Sequence, residues 1–193
     1  MNIVLKLLGS SLLAISIGVL LVAPYLFEIG FHSKFAGGLA ILPWTLTYCA
    51  WFGISAVAIN YLWCVERAWL SSFALLVGLT VNVSLNLYLL PRYGLQGAVC
   101  GTTAAHLATL LTCLGLCRLY GMHVHSGTWL IVLAPATLCL GPLPALGALL
   151  AMGFVAAMSP LLFTEHEKHQ VAGALRDLLR QCFSRRRPNP VAA

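Results

Sequence analysis

The sequence predicts an all-α integral membrane protein: about six transmembrane helices followed by an amphipathic helix on the membrane surface. Three observations predict it. Of 193 residues, 60% are hydrophobic and only 8% charged, against roughly 25% charged in a soluble domain, and the mean hydropathy is +0.91. Apolar runs of about 18 or more residues, the length that crosses a bilayer core, recur along the chain. The net charge of +6 gathers mostly at the C-terminal end, a distribution suited to anionic lipid headgroups and not to nucleic acid.

Residues 1–163 form the transmembrane region. The first span, 4–24, begins with Lys6 and continues as an apolar run to Pro24. A basic start and an apolar run also describe a secretory signal peptide, but the run is long for one and further spans follow. The segment Phe27 to Phe35 interleaves aromatic and charged residues, as chain at a membrane interface does. The second span, 37–64, is rich in aromatics and carries Pro43 in its first turns, with Asn60 as its one strongly polar residue. Val65-Glu66-Arg67-Ala68 is a short connection, so the third span, 69–90, packs antiparallel beside the second.

The stretch from Asn82 to Thr103 organises the chain. Asn82 and Asn86 lie four residues apart and share one helix face. Their helix ends in Leu90-Pro91-Arg92 and turns at Tyr93-Gly94. A fourth span, 96–120, then carries small residues at Gly97, Gly101 and Ala105, a spacing that admits another helix backbone at close range. The expectation is a tight helical hairpin, its turn set by Pro91, Gly94 and Gly97. After the polar loop with His123 and His125, residues 129–163 are apolar but broken by Pro135, Pro142, Pro144 and Pro160. At 1.5 Å per residue this run is too long for one span of a roughly 30 Å core and short for two. It is read as two short helices, 129–143 and 145–163, hinged at Gly141 to Pro144; one kinked helix with a re-entrant piece is the alternative. Thr164-Glu165-His166-Glu167 is a capping box. It opens an amphipathic cytoplasmic helix over 164–183, with Val171, Leu175, Leu178 and Cys182 on one face, and 184–193 is a disordered basic tail.

With about six spans, Lys6, Arg67, Arg118 and the basic tail fall on one side, and only Lys34 and Arg92 on the other. The positive-inside rule then places both termini in the cytoplasm.

Chemistry has little to stand on. The five acidic residues, Glu28, Glu66, Glu165, Glu167 and Asp177, are split between the membrane faces and the surface helix, so no two can meet within the bilayer as an acid–base pair. Cys113 and Cys117 sit one turn apart with no further ligand nearby, so a metal reading is weak and the intramembrane cysteines read as small apolar packing residues. The sequence therefore predicts no enzyme, no metal and no cofactor. One ionisable side chain within an apolar segment remains to be read. His106, mid-helix, can line a hydrated cavity and hydrogen-bond a sugar or phosphate; its plain alternative is a helix-to-helix bond with Asn82 or Asn86. Asn82 and Asn86 can likewise line such a cavity or simply join helices. Arg92 can attract phosphate at the rim or serve as an interfacial anchor.

A family resemblance is carried by Ala23-Pro24-Tyr-Leu-Phe-Glu-Ile-Gly30, by Phe35-Ala36-Gly37, by the helix end at Val65-Glu66-Arg67, and above all by Asn82-x-x-x-Asn86-x-x-x-x-Pro91-x-x-Gly94-x-x-Gly97-Ala98. The chain resembles the C-terminal half of Wzx-type polysaccharide flippases, of the multidrug/oligosaccharidyl-lipid/polysaccharide exporter superfamily. The resemblance implies part of the C-terminal lobe of a two-lobed bundle, matching its ninth to fourteenth helices. It also implies a role in flipping polyprenyl-diphosphate-linked oligosaccharide across the bacterial cytoplasmic (inner) membrane. Expected partners are membrane lipids, the lipid-linked oligosaccharide, and a missing N-terminal lobe or partner membrane protein. The departure is that basic residues thought to meet the diphosphate in such cavities have no counterpart here mid-membrane. A small membrane scaffold of a glycan-assembly complex is the alternative function.

Overall fold

A computed structural model of the chain describes residues 2–31, 36–122 and 126–158. Nearly all of these are helical and none is in a strand. Helix α1 spans Asn2–Phe31, α2 Ala36–Cys64 and α3 Ala68–Leu119; a short α4, Ser126–Leu133, runs into a 3₁₀ helix, Ala134–Leu140, and α5 spans Pro142–Met158. Three of these, α1, α2 and α3, are long and apolar enough to cross a membrane. The surface helix expected at 164–183, the tail at 184–193, and the loop histidines His123 and His125 lie outside the described residues.

The 52 residues of α3 are not one rod. Gly94 leaves helical geometry at φ 56° and ψ −137°, a conformation open to glycine because it lacks a Cβ. The chain folds back there. A methyl added at Gly78 would overlap Thr109 Oγ1, and one at Gly101 would lie 2.9 Å from Asn86 Oδ1. One at Gly97 would lie 2.5 Å from the Leu89 carbonyl oxygen. These pairs straddle the turn symmetrically, so 68–93 and 95–119 are antiparallel arms, each about 38 Å long at roughly 1.5 Å per residue. The small residues Gly97, Gly101 and Ala105 are all buried. The helix they admit is the first arm of their own hairpin.

One predicted boundary moves and one expected break is found. Helix α1 does not stop at Pro24 but continues to Phe31, so the expected interfacial segment is helical over its first part. A proline inside a helix removes one hydrogen bond, and in an apolar helix the remaining bonds have no competing water to lose to. The run after residue 126 does break where the proline and glycine cluster lies, at Gly141 (φ 114°, ψ 175°). Pro142 then occupies the first position of α5, where its missing donor costs nothing. Neither piece reaches the three long helices in length; both are apolar.

Two helix ends share one motif. At the end of α2, Glu66 N donates to Trp63 O and Arg67 N to Leu62 O, both at 3.0 Å, with Glu66 at φ 59°. At the end of α3, Gly121 N donates to Arg118 O at 3.3 Å and Met122 N to Cys117 O at 2.9 Å, with Gly121 at φ 93°. Each is a Schellman closure, which satisfies the last carbonyls of a helix. The two ends meet, since Tyr61 Oη donates to the Tyr120 carbonyl at 3.3 Å and the Arg67 guanidinium lies 5.8 Å from the centre of the Tyr120 ring.

Packing runs in a row. The α3 hairpin lies against α2, and α2 against α1 and the 3₁₀ helix; α5 folds onto the 3₁₀ helix and α1. One core joins Trp51, Ile54, Ala58 and Leu62 of α2 to Leu110, Cys113, Leu114 and Cys117 of α3; a second joins Leu13, Ile17 and Leu20 of α1 to Leu138 and Ala145. Polar contacts tie α2 to the irregular segment. Trp51 Nε1 donates to the Val132 carbonyl at 2.9 Å, and one turn earlier Thr47 Oγ1 bridges the Pro43 and Pro135 carbonyls at 2.9 and 3.1 Å. Where α-helical bonding gives way to 3₁₀ bonding a carbonyl loses its backbone partner, and in an apolar medium another donor has to replace it.

The inside–outside distribution is that of a lipid-facing protein. Leu87, Leu119, Leu140, Leu143 and Ile29 are each at least 75% exposed, while Thr47, Ser55, Thr103 and Thr109 are buried. Lys6, expected only as a basic start, is also buried, 1% exposed, and engaged by a partner.

A polar groove between α2 and the hairpin

Residues of α2 and of both arms of α3 line a groove of about 430 Å³. Its walls are apolar: Ile59 from α2, Leu75 and Leu79 from the first arm, Ala105 from the second. Phe52 and Trp63 stand at its rim, 60% and 58% exposed. Into this apolar cleft project Asn60 of α2, Asn82 of the first arm and His106 of the second. Each side chain reaches the groove from a different helical segment, which is why no local sequence pattern announces the set.

The hydroxyls in the groove are already engaged. Ser55 Oγ donates to the Trp51 carbonyl at 2.8 Å and Thr109 Oγ1 to the Ala105 carbonyl at 3.0 Å, the i−4 back-bond by which serine and threonine satisfy themselves in apolar helices. The amides and the imidazole differ. His106 stacks on Tyr48, ring centres 5.4 Å apart at 15°, and meets Phe52 edge-on at 5.8 Å and 79°. Its ring is thus held by aromatic contacts, and neither nitrogen is hydrogen-bonded among the described residues. The helix-to-helix bond from His106 to Asn82 or Asn86 is not made.

Asn82 and Asn86 do bond to each other: Asn86 Nδ2 donates to Asn82 Oδ1. Asn82 therefore offers its own amide N–H groups to the groove. Asn86 sits one turn further toward the hairpin turn, outside the groove. Its Oδ1 is buried without a partner among the described residues and points at Gly101, the position where a methyl would strike it. Arg92 stands apart from all three. It lies at the exposed turn, donating from Nη1 to Tyr88 Oη at 2.5 Å, with its guanidinium 4.1 Å from the centre of that ring. Of the four candidate path residues, the fold joins His106 and Asn82 in one groove, places Asn86 behind it, and leaves Arg92 at the far end of the hairpin.

Among the lining residues that were not candidates, Asn60, Phe52 and Trp63 stand out. Asn60 did carry a signal, as the single amide of an aromatic-rich span. The cysteine pair has a packing role: Cys113 and Cys117 are buried and the Cys117 thiol donates to the Ala58 carbonyl at 3.4 Å. Cys49 and Cys64 are instead exposed. A second crease, of about 470 Å³, runs between α1 and the start of α2 along Ile15, Val22, Leu26 and Leu42; its lining is apolar and offers no chemistry.

No protein-family model, curated protein or solved structure matches this chain.

Proposed function

We propose that this chain is one lobe of a polysaccharide transporter, similar to the C-terminal portion of a Wzx-type flippase, and contributes to moving polyprenyl-diphosphate-linked oligosaccharide across the bacterial cytoplasmic membrane. The observation that carries the reading is the groove: three hydrogen-bonding side chains converge at a lateral cleft inside an otherwise apolar helical bundle. Polar groups facing hydrocarbon are costly, and a lobe that lines a hydrated path gives them a solvent.

The reading takes six spans, with the two arms of α3 counted separately and the two short helices around Gly141 added. Both termini are then cytoplasmic, with Lys6, Arg67 and Arg118 on the inner side and Arg92 on the outer. Transport requires a second lobe facing the groove, so that rocking of one against the other opens the path to each side in turn. His106 and Asn82 line that path; Arg92 and Tyr88 anchor its outer end.

The test is leaflet transfer of lipid-linked sugar in vesicles holding this chain with and without a candidate N-terminal lobe. Transfer is expected only with both. Transfer by this chain at the same rate in either condition overturns the one-lobe reading.

A further inference from the structure

The groove has a chemical preference of its own. Its free hydrogen-bonding groups are of both kinds: Asn82 presents N–H donors because its oxygen is taken by Asn86, Asn60 presents a donor and an acceptor, and a neutral imidazole at His106 presents one of each. Among the described residues, no lysine, arginine, aspartate or glutamate lines it. A phosphate brought here would bring uncompensated charge into an apolar cleft, which costs several kcal/mol or more, and, as an acceptor, would leave the acceptors of Asn60 and His106 unpaired. A hydroxyl donates and accepts at once and carries no charge. The volume, about 430 Å³, lies in the range that takes a small-molecule ligand, roughly 300–1,000 Å³. The exposed faces of Phe52 and Trp63 at the rim suit the C–H side of a saturated ring and the start of an alkyl chain.

We infer that the groove between α2 and the α3 hairpin is a binding site for an uncharged, hydroxyl-rich headgroup carried on an apolar chain, and that it discriminates against anionic headgroups. Asn60, Asn82 and His106 take the hydroxyls, and the chain leaves sideways past Leu75 and Leu79. The inference deepens the transport reading, in that it says which part of a lipid-linked glycan this lobe holds: the sugar, with the diphosphate held elsewhere. Binding is measured without transfer, so either idea can fail alone.

The experiment uses the full chain, purified without glycoside detergents and placed in phosphatidylglycerol–phosphatidylethanolamine nanodiscs. The probe is a diazirine-bearing alkyl glucoside, with adducts mapped by mass spectrometry. Saturable labelling is expected in 52–63, 75–82 and 105–109. Unlabelled alkyl glucoside should suppress it at least about tenfold more effectively than alkyl phosphate of equal chain length. Asn82→Leu and His106→Phe, which keep volume and, at His106, the ring stacking, should each reduce labelling by about fivefold or more, while Leu87→Ala on the outer face leaves it unchanged. Equal competition by the phosphate overturns the charge discrimination on the native chain, whatever the variants do. Labelling that maps elsewhere, or survives both substitutions in folded protein, overturns the site. Competition by free glucose as strong as by the glucoside overturns the lipid-borne origin of the ligand.

Discussion

Glu66 holds a left-handed conformation, φ 59°, at the C-terminal closure of α2, where an L-residue with a Cβ pays about 1–2 kcal/mol. Gly121 fills the equivalent place after α3 at no such cost. Glu66→Gly should therefore stabilise the protein by about 1 kcal/mol, and Gly121→Ala should destabilise it by a similar amount; thermal unfolding in a mild detergent reads both. Gly78 is a different kind of glycine. It is helical, and what it requires is space, since Thr109 Oγ1 occupies the place of its missing methyl. Gly78→Ala should cost about 1–3 kcal/mol by overpacking, and adding Thr109→Ala should recover part of the loss. Absence of any coupling between the two would mean that the arms do not meet there. None of these residues was legible in the sequence, as the turn-forming Gly94 was. The roles of Gly78 and Glu66 depend on what stands opposite them, and a helical pattern carries no record of that.

At the scale of the element, the hairpin was legible and the ends of the helices were not. Pro91, Gly94 and the Gly97–Gly101 spacing predicted a turn between two arms, and the arms fold back at Gly94. The decisive check is covalent. A Cβ at Gly101 lies 3.4 Å from Leu85 Cβ, close to the separation of about 3.5–4.5 Å in a disulfide. Leu85→Cys with Gly101→Cys, in a background lacking the native cysteines, should oxidise to an intramolecular bridge. In a straight helix the two positions would be about 24 Å apart, and no bridge would form. The α4–3₁₀ segment makes the opposite point. Its prolines predicted a break, but nothing local says that Trp51 and Thr47 on another helix supply its carbonyls. Trp51→Phe should cost about 1–3 kcal/mol, chiefly from leaving the Val132 carbonyl unpaired in an apolar interior; a change below about 0.5 kcal/mol in the same unfolding assay would mean the carbonyl finds another donor. Pro24, inside α1, makes a related point. A proline stops a helix most effectively where water can take over the broken bond, and here the helix runs on.

For the whole molecule, the arrangement of ends lends itself to a topology measurement. Arg67 and Tyr120 share one end of the bundle, and Arg92 lies at the opposite end of the hairpin. In a cysteine-free background restored only at Cys64, an exposed residue beside that first end, a membrane-impermeant thiol reagent should label the chain only after the cytoplasmic face is opened. Arg92→Cys in the same background should be labelled in intact cells. The reverse pattern would place the termini outside and defeat the proposed orientation.

Composition alone determined that this is an apolar, helical chain with several segments of bilayer length, because the solvent a residue prefers is written into its side chain. Spacing alone determined that Asn82 and Asn86 share a face and that Gly97, Gly101 and Ala105 admit a close neighbour, because the helix has one period. Only the tertiary structure decided which neighbour that is. It also decided that Asn60, Asn82 and His106, drawn from three helical segments, open into one groove while Arg92 does not reach it. Helix faces are set by local geometry; which faces converge is set by how the rods cross, and that is a property of the packed bundle.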